Sequence, residues 1–168
     1  MPDWWIAASY FFHLIATVVW VGGITMLTLV VYPSVRKVSG SDSLKGALIS
    51  EIHRRFSPLA MISLGTLIVT GLSQMAVNKN YNGFLKIDNA WTWAILLKHI
   101  VFGLMTLIGA YSIWGLSPTI SRLALLESKG KLTGPQLAAL RHREERLNQL
   151  NFACALVVLA LTAAARAV

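Results

Sequence analysis

Two histidines stand inside otherwise apolar runs, His13 in HLIATVVWVGG and His99 in LLKHIVFG. Ionisable groups in such runs are costly, and they mark sites or lined cavities. His13 lies nine residues after Trp4 and His99 eight after Trp91, about 13 Å along a helix in each case. With both tryptophans in the outer headgroup belt, the two imidazoles reach a common depth and face each other across the core. Such a pair suits two-sided ligation of a haem iron. Ala16, Thr17 and Trp20 share the face of His13, and Gly103, Thr106 and Ala110 that of His99. Small residues there leave room for a flat macrocycle, or simply let helices pack. Lys98 either meets a haem propionate, with Lys79 or Lys86 as helpers, or snorkels to the interface.

The elements that carry these residues are long and apolar. The 168-residue chain is 55% hydrophobic and 13% charged, with a mean hydropathy of +0.61; a soluble domain carries about 25% charged residues. Four stretches, about 4–32, 56–76, 91–117 and 148–165, approach or exceed the ~20 residues that cross a bilayer. The chain reads as one integral membrane domain, 1–168. MPDWW has no basic n-region, so no removable signal peptide is read. A single cysteine, Cys154, gives no internal disulfide and no CxxC metal motif.

The formal charge of +8 is unevenly spread. Arg36, Lys37, Lys45, Arg54 and Arg55 lie between spans one and two. Arg122, Lys129, Lys131, Arg141, Arg143 and Arg146 lie between three and four, whereas the opposite side has only Lys79, Lys86 and Arg166. The positive-inside rule then puts both basic loops in the cytoplasm and both termini outside. The basic charge meets anionic lipid, not nucleic acid.

Pro33 and Ser117-Pro118 are expected to stop spans one and three. TISRLALLESKGK reads as a short interfacial helix, about 119–128. Thr133 caps a last helix with Pro135 in its first turn. Short loops make sequential spans antiparallel neighbours, an all-α up-down-up-down four-helix transmembrane bundle. Ala60, Ser63, Thr70 and Gly71 fall near one face of span two and suit close helix contact. His53 and His142, each among arginines, read as solvated interfacial residues. The rival ligand is copper, which as cuprous ion favours thioether, thiolate and imidazole. Met26, Met61, Met75, Met105 and Cys154 are scattered through the chain without Met-x-Met or Met-x-x-Met spacing.

HLIATVVWVGGI, RRFSPLAMISLGTLIVTGL and WAILLKHIVFGLM resemble the first three spans of the copper-resistance protein D (CopD) family. The pattern is similar to that of HemJ-type membrane protoporphyrinogen oxidases. RLNQLNF partly echoes their Arg-x-x-Asn-Glu motif, with Arg146 one position closer to Asn148 and Gln149 in place of glutamate. The resemblance implies a four-helix membrane module with functional roles for a first-span histidine, His13, and a third-span lysine, Lys98. It implies b-type haem and porphyrinogen oxidation in one branch and copper handling in the other.

The sequence reading is therefore a multi-pass protein of a prokaryotic inner membrane that binds haem b between spans one and three. His13 and His99 are the axial ligands, and Lys98, Trp20, Gly103 and Thr17 contact the cofactor. A six-coordinate iron has no open position for substrate, which favours electron transfer with quinone or a redox protein. The alternatives are copper transport or resistance, a haem-dependent membrane oxidoreductase of the protoporphyrinogen oxidase type, and a structural subunit of an oligomer or larger membrane complex. No catalytic residue is assigned.

Overall fold

The computed structural model describes residues 3–37, 42–81, 83, 89–129 and 134–167. Thr133, expected to cap the last helix, and Lys86 lie outside the described residues. The chain is helical from end to end: α1 Asp3–Met26, α2 Tyr32–Lys37, α3 Asp42–Ala76, α4 Ala90–Ala110, α5 Ser117–Ser128 and α6 Gly134–Ala167. Four stretches are long and apolar enough to cross a membrane, Trp4–Lys37, Leu44–Ala76, Ala90–Glu127 and Gly134–Ala167. The 34 residues of α6 span about 50 Å at 1.5 Å per residue, well beyond a hydrocarbon core of about 30 Å. The excess is the polar overhang at the basic end.

Neither proline stops its helix. Between α1 and α2 the backbone widens into a π turn at Leu27–Val31, where the Tyr32 N–H reaches back to the Leu27 carbonyl. A second π turn, Tyr111–Leu116, joins α4 to α5, with the Ser117 N–H on the Ser112 carbonyl. Pro33 and Pro118 each follow such a turn. A proline inside a helix lacks one N–H and crowds the carbonyl four residues back. Widening the turn ahead of it relieves both, so the helix continues and its facing register shifts. The expected breaks are thus corrected to π turns, and α5 is the continuation of span three. Asn89 starts α4 by accepting from the Thr92 N–H at 2.8 Å, an ordinary N-cap.

α1 packs along α3 and α4 along α6, while α1 and α6 also touch. The core between them holds Ala16, Trp20 and Ile24 of α1, Ala60, Leu64 and Leu67 of α3, Met105 of α4, and Cys154 and Ala155 of α6. Ala60, Ser63 and Thr70 are buried, as expected of small residues at a close helix contact. α1 and α3 come close at Gly23, where a Cβ would fall 2.1 Å from the Phe56 ring. A second core near the basic end joins Leu116 and Ile120 to Leu137. Outward faces carry Phe11, Val18, Ile62, Val69, Trp93 and Leu107, the inverted pattern of a chain solvated by lipid. Trp91 is buried and Trp93 exposed, so Trp93, not Trp91, is the α4 tryptophan placed to meet the headgroups.

Candidate metal centre and the polar line through the bundle

Thr70 determines what His13 can do. The Thr70 hydroxyl spends its proton on the Thr66 carbonyl at 2.5 Å. Toward His13, 2.8 Å away, it can only accept. The neutral ring therefore carries its proton on Nδ1 and keeps a lone pair on Nε2, for which no partner exists among the described residues. The Cε1 edge rests on the α3 backbone, where a Cβ at Gly71 would be 3.5 Å away. Ser9 and Gln74 brace the same contact one turn outward: Ser9 Oγ donates to the Thr70 carbonyl at 3.4 Å, and Gln74 Nε2 donates to the Ser9 carbonyl at 3.2 Å. The His13 imidazole is thus half-buried, with one ring nitrogen fixed and the other without a partner among the described residues.

His99 is not its partner. Neighbouring residues on a helix point about 100° apart, so Lys98 and His99 cannot both face the core. The structure turns Lys98 inward, half-buried. His99 is exposed, with Nδ1 on the carbonyl of Ile95 in its own helix at 2.7 Å. The expected bis-histidine pair is thus corrected: the residue facing His13 from α4 is the lysine.

The remaining expected contacts divide. Thr17 donates to the His13 carbonyl at 2.8 Å and Thr106 to the Phe102 carbonyl at 2.9 Å, so both hydroxyls are returned to their own helices. Trp20 is core, against Gly109, and its Nε1 is buried without a partner. A Cβ at Gly103 would meet nothing within 4 Å, so that glycine leaves open space rather than a tight contact. Met105 and Cys154 share the core with Trp20, while Met26 is exposed. Among the described residues no three of His, Cys, Asp and Glu converge as a metal cage. Beyond Ser9, a largely apolar cleft of about 450 Å³ opens between Trp4, Trp5, Ile6, Ser73, Gln74 and Val77.

At the basic end a second polar group appears, which the sequence reading missed. Tyr32 is buried, and its hydroxyl lies 3.0 Å from His53 Nε2. His53 Nδ1 is 3.7 Å from Glu144 Oε1, and Glu145 pairs with Arg36. The reading of His53 as solvated is corrected, because the π turn aims Tyr32 at it and α6 covers it; His142 is exposed as expected. Glu144 is 6% and Asn151 5% exposed. Asn148 donates to Thr28 Oγ1 at 3.0 Å, and Asn151 Oδ1 is buried without a partner. The signal was the spacing of Glu144, Asn148, Asn151 and Ala155, one inward face of α6.

Residues 50–165 match the family model described as copper resistance protein D. The chain belongs to the copper resistance protein D family. No curated protein and no solved structure matches it. This CopD-family chain, with four stretches able to cross a membrane, is a multi-pass membrane protein. Lys98, Cys154, His53 and Glu144 fall inside the matched residues, whereas His13 precedes them. In the echo of the HemJ-type motif, Asn148 faces Thr28, while Arg146 and Gln149 are exposed.

Proposed function

We propose that this CopD-family protein handles copper inside the membrane, with His13 Nε2 as a ligand to cuprous ion. The reading is carried by the Thr66–Thr70–His13 hydrogen-bond chain, which leaves a lone pair free in the bundle. Family membership supplies the metal, and the donor set is compatible with it. Cuprous ion accepts few, soft ligands. One imidazole with Met105 and Cys154 deeper in the core suits it better than a divalent ion that needs a cage of carboxylates and histidines. Lys98 opposite His13 disfavours a second cation there and limits the charge the site retains. The polar side chains from Asn151 to Glu144 line one face of α6 toward the basic end, which the positive-inside rule places in the cytoplasm.

The test is copper content after loading the purified full chain with cuprous ion under reducing conditions. The expected result is stoichiometric copper in the wild type, loss of it in His13→Ala and retention in His99→Ala. Equal copper in wild type and His13→Ala contradicts the reading.

A second reading keeps haem b, with His13 as its one imidazole ligand and Lys98 placed to meet a propionate. The apolar cleft one turn outward from His13 favours it. The protein would then pass electrons to quinone or a redox partner, or act as a haem-dependent oxidoreductase. A Soret band in purified protein, lost in His13→Ala, supports this reading over copper, and colourless protein excludes it.

A further inference from the structure

The inner-end cluster is built differently from the metal centre, and the copper proposal leaves it without a role. Its core is a line of three side chains from three helical segments: Tyr32 at the start of α2, His53 on α3 and Glu144 on α6. The Tyr32 hydroxyl, protonated throughout the physiological range, stands 3.0 Å from His53 Nε2. His53 Nδ1 faces Glu144 Oε1 at 3.7 Å, a gap that a small side-chain adjustment brings to hydrogen-bond length. With the Tyr32 hydroxyl donating to Nε2, the ring's own proton lies on Nδ1 toward the carboxylate, and no lone pair is left over for a metal.

We propose that Tyr32, His53 and Glu144 form a proton-binding site at the basic end of the bundle, exchanging protons with water on the cytoplasmic side. Access comes from a cavity of about 220 Å³ lined by Tyr32, Arg36, Arg141, His142, Glu144 and Glu145. A proton from water in that cavity adds to the Glu144 carboxylate. The proton stays on the carboxyl, because Nδ1 already carries the ring hydrogen while Nε2 accepts from the Tyr32 hydroxyl, and it returns to the cavity water when the carboxylate re-forms. Asn148 on Thr28 and the unpartnered Oδ1 of Asn151 are the next polar groups inward on the same face of α6.

The charges around Glu144 permit this exchange. From α2, Arg36 is taken up by Glu145. From α3, Glu51 binds both Arg54 and Arg55 on the exposed face, and Tyr32 and His53 are uncharged partners. From α6, Arg141 acts on Glu144 and favours its anion, and His142 is exposed. From α5, Ile120 and Leu123 pack toward Leu137 and Leu140, and Arg122 is exposed. Glu144 is 6% exposed and lines the cavity at the basic end of the bundle.

Infrared difference spectroscopy of the detergent-purified full chain, titrated with acid and base alone, tests the proposal. The wild type should show a protonated-carboxyl C=O band that is lost as base is added. The band should vanish in Glu144→Gln and persist in Glu145→Gln. His53→Gln should move its midpoint upward, because the carboxylate loses its imidazole partner. That variant keeps Glu144, so the test survives if Glu144→Gln fails to fold. Absence of the band in the wild type, its survival in Glu144→Gln, or an unmoved midpoint in His53→Gln overturns the proposal. None of these outcomes depends on copper or haem.

Discussion

His13 and His53 sit toward opposite ends of one bundle, His13 where α1 meets α3 and His53 where α2 meets α3. They differ in one respect that decides their chemistry. His13 has one nitrogen tied to Thr70 and the other free, while His53 has Tyr32 on one side and Glu144 on the other. An imidazole with a spare lone pair binds a metal; one held between a hydroxyl and a carboxylate supports a proton-binding carboxyl. His99 provides the control, since it satisfies one nitrogen on its own helix and is exposed. The lesson is that an intramembrane histidine is defined by what its second nitrogen meets, not by its depth.

The comparison is most sharply broken at Thr70. Thr70→Val removes the acceptor that fixes the His13 tautomer. Outer-shell partners of metal-bound histidines change affinity by about 10–100-fold. On the proposed reading, cuprous affinity falls by that amount in a competition titration, and a value within twofold of wild type would show that Thr70 does not set the ligand.

The next effect lies at Asn151, whose buried Oδ1 has no partner. An unsatisfied buried acceptor costs roughly 1–3 kcal/mol, and an apolar residue of similar shape avoids that cost. Asn151→Leu should therefore raise unfolding stability in detergent by about 1 kcal/mol while slowing proton exchange at Glu144. Loss of stability would mean that Oδ1 is solvated in the bundle. Tyr32→Phe removes one hydrogen bond and should lower stability by about 1 kcal/mol, leaving copper content unchanged; a copper loss would merge the two sites into one. Smallest is Gly103→Ala, where the added methyl meets nothing within 4 Å. Its stability should stay within about 0.5 kcal/mol of wild type, and a haem-filled space there would make the change visible as a Soret shift.

Much of the fold was legible because lipid imposes a simple rule. Apolar runs of sufficient length, with cations gathered at one end, specify a helix bundle without any detail of packing. The helix ends were harder to read. Pro33 and Pro118 carry a strong stop signal, yet a π turn ahead of each keeps the chain helical. That is a tertiary solution invisible to local propensity. The site was half legible. His13 and Lys98 were recognised as out of place among apolar residues. The choice between Lys98 and His99 was set by the rotation of α4, which a two-residue difference in the anchoring tryptophan, Trp93 rather than Trp91, leaves undetermined in the sequence. His53 and Glu144 were masked by their arginine neighbours. Arg54 and Arg55 face outward with Glu51, and the histidine one residue before them faces in.

Ring-nitrogen NMR of the ¹⁵N-histidine-labelled full chain, recorded before and after cuprous ion is added, tests the central claim most directly. The account predicts that His13 begins with its proton on Nδ1 and a bare Nε2, that cuprous ion shifts Nε2 of His13, and that both nitrogens of His53 stay where they were. A His13 ring protonated on Nε2, or a cuprous shift that falls on His53 or His99 instead, would contradict it.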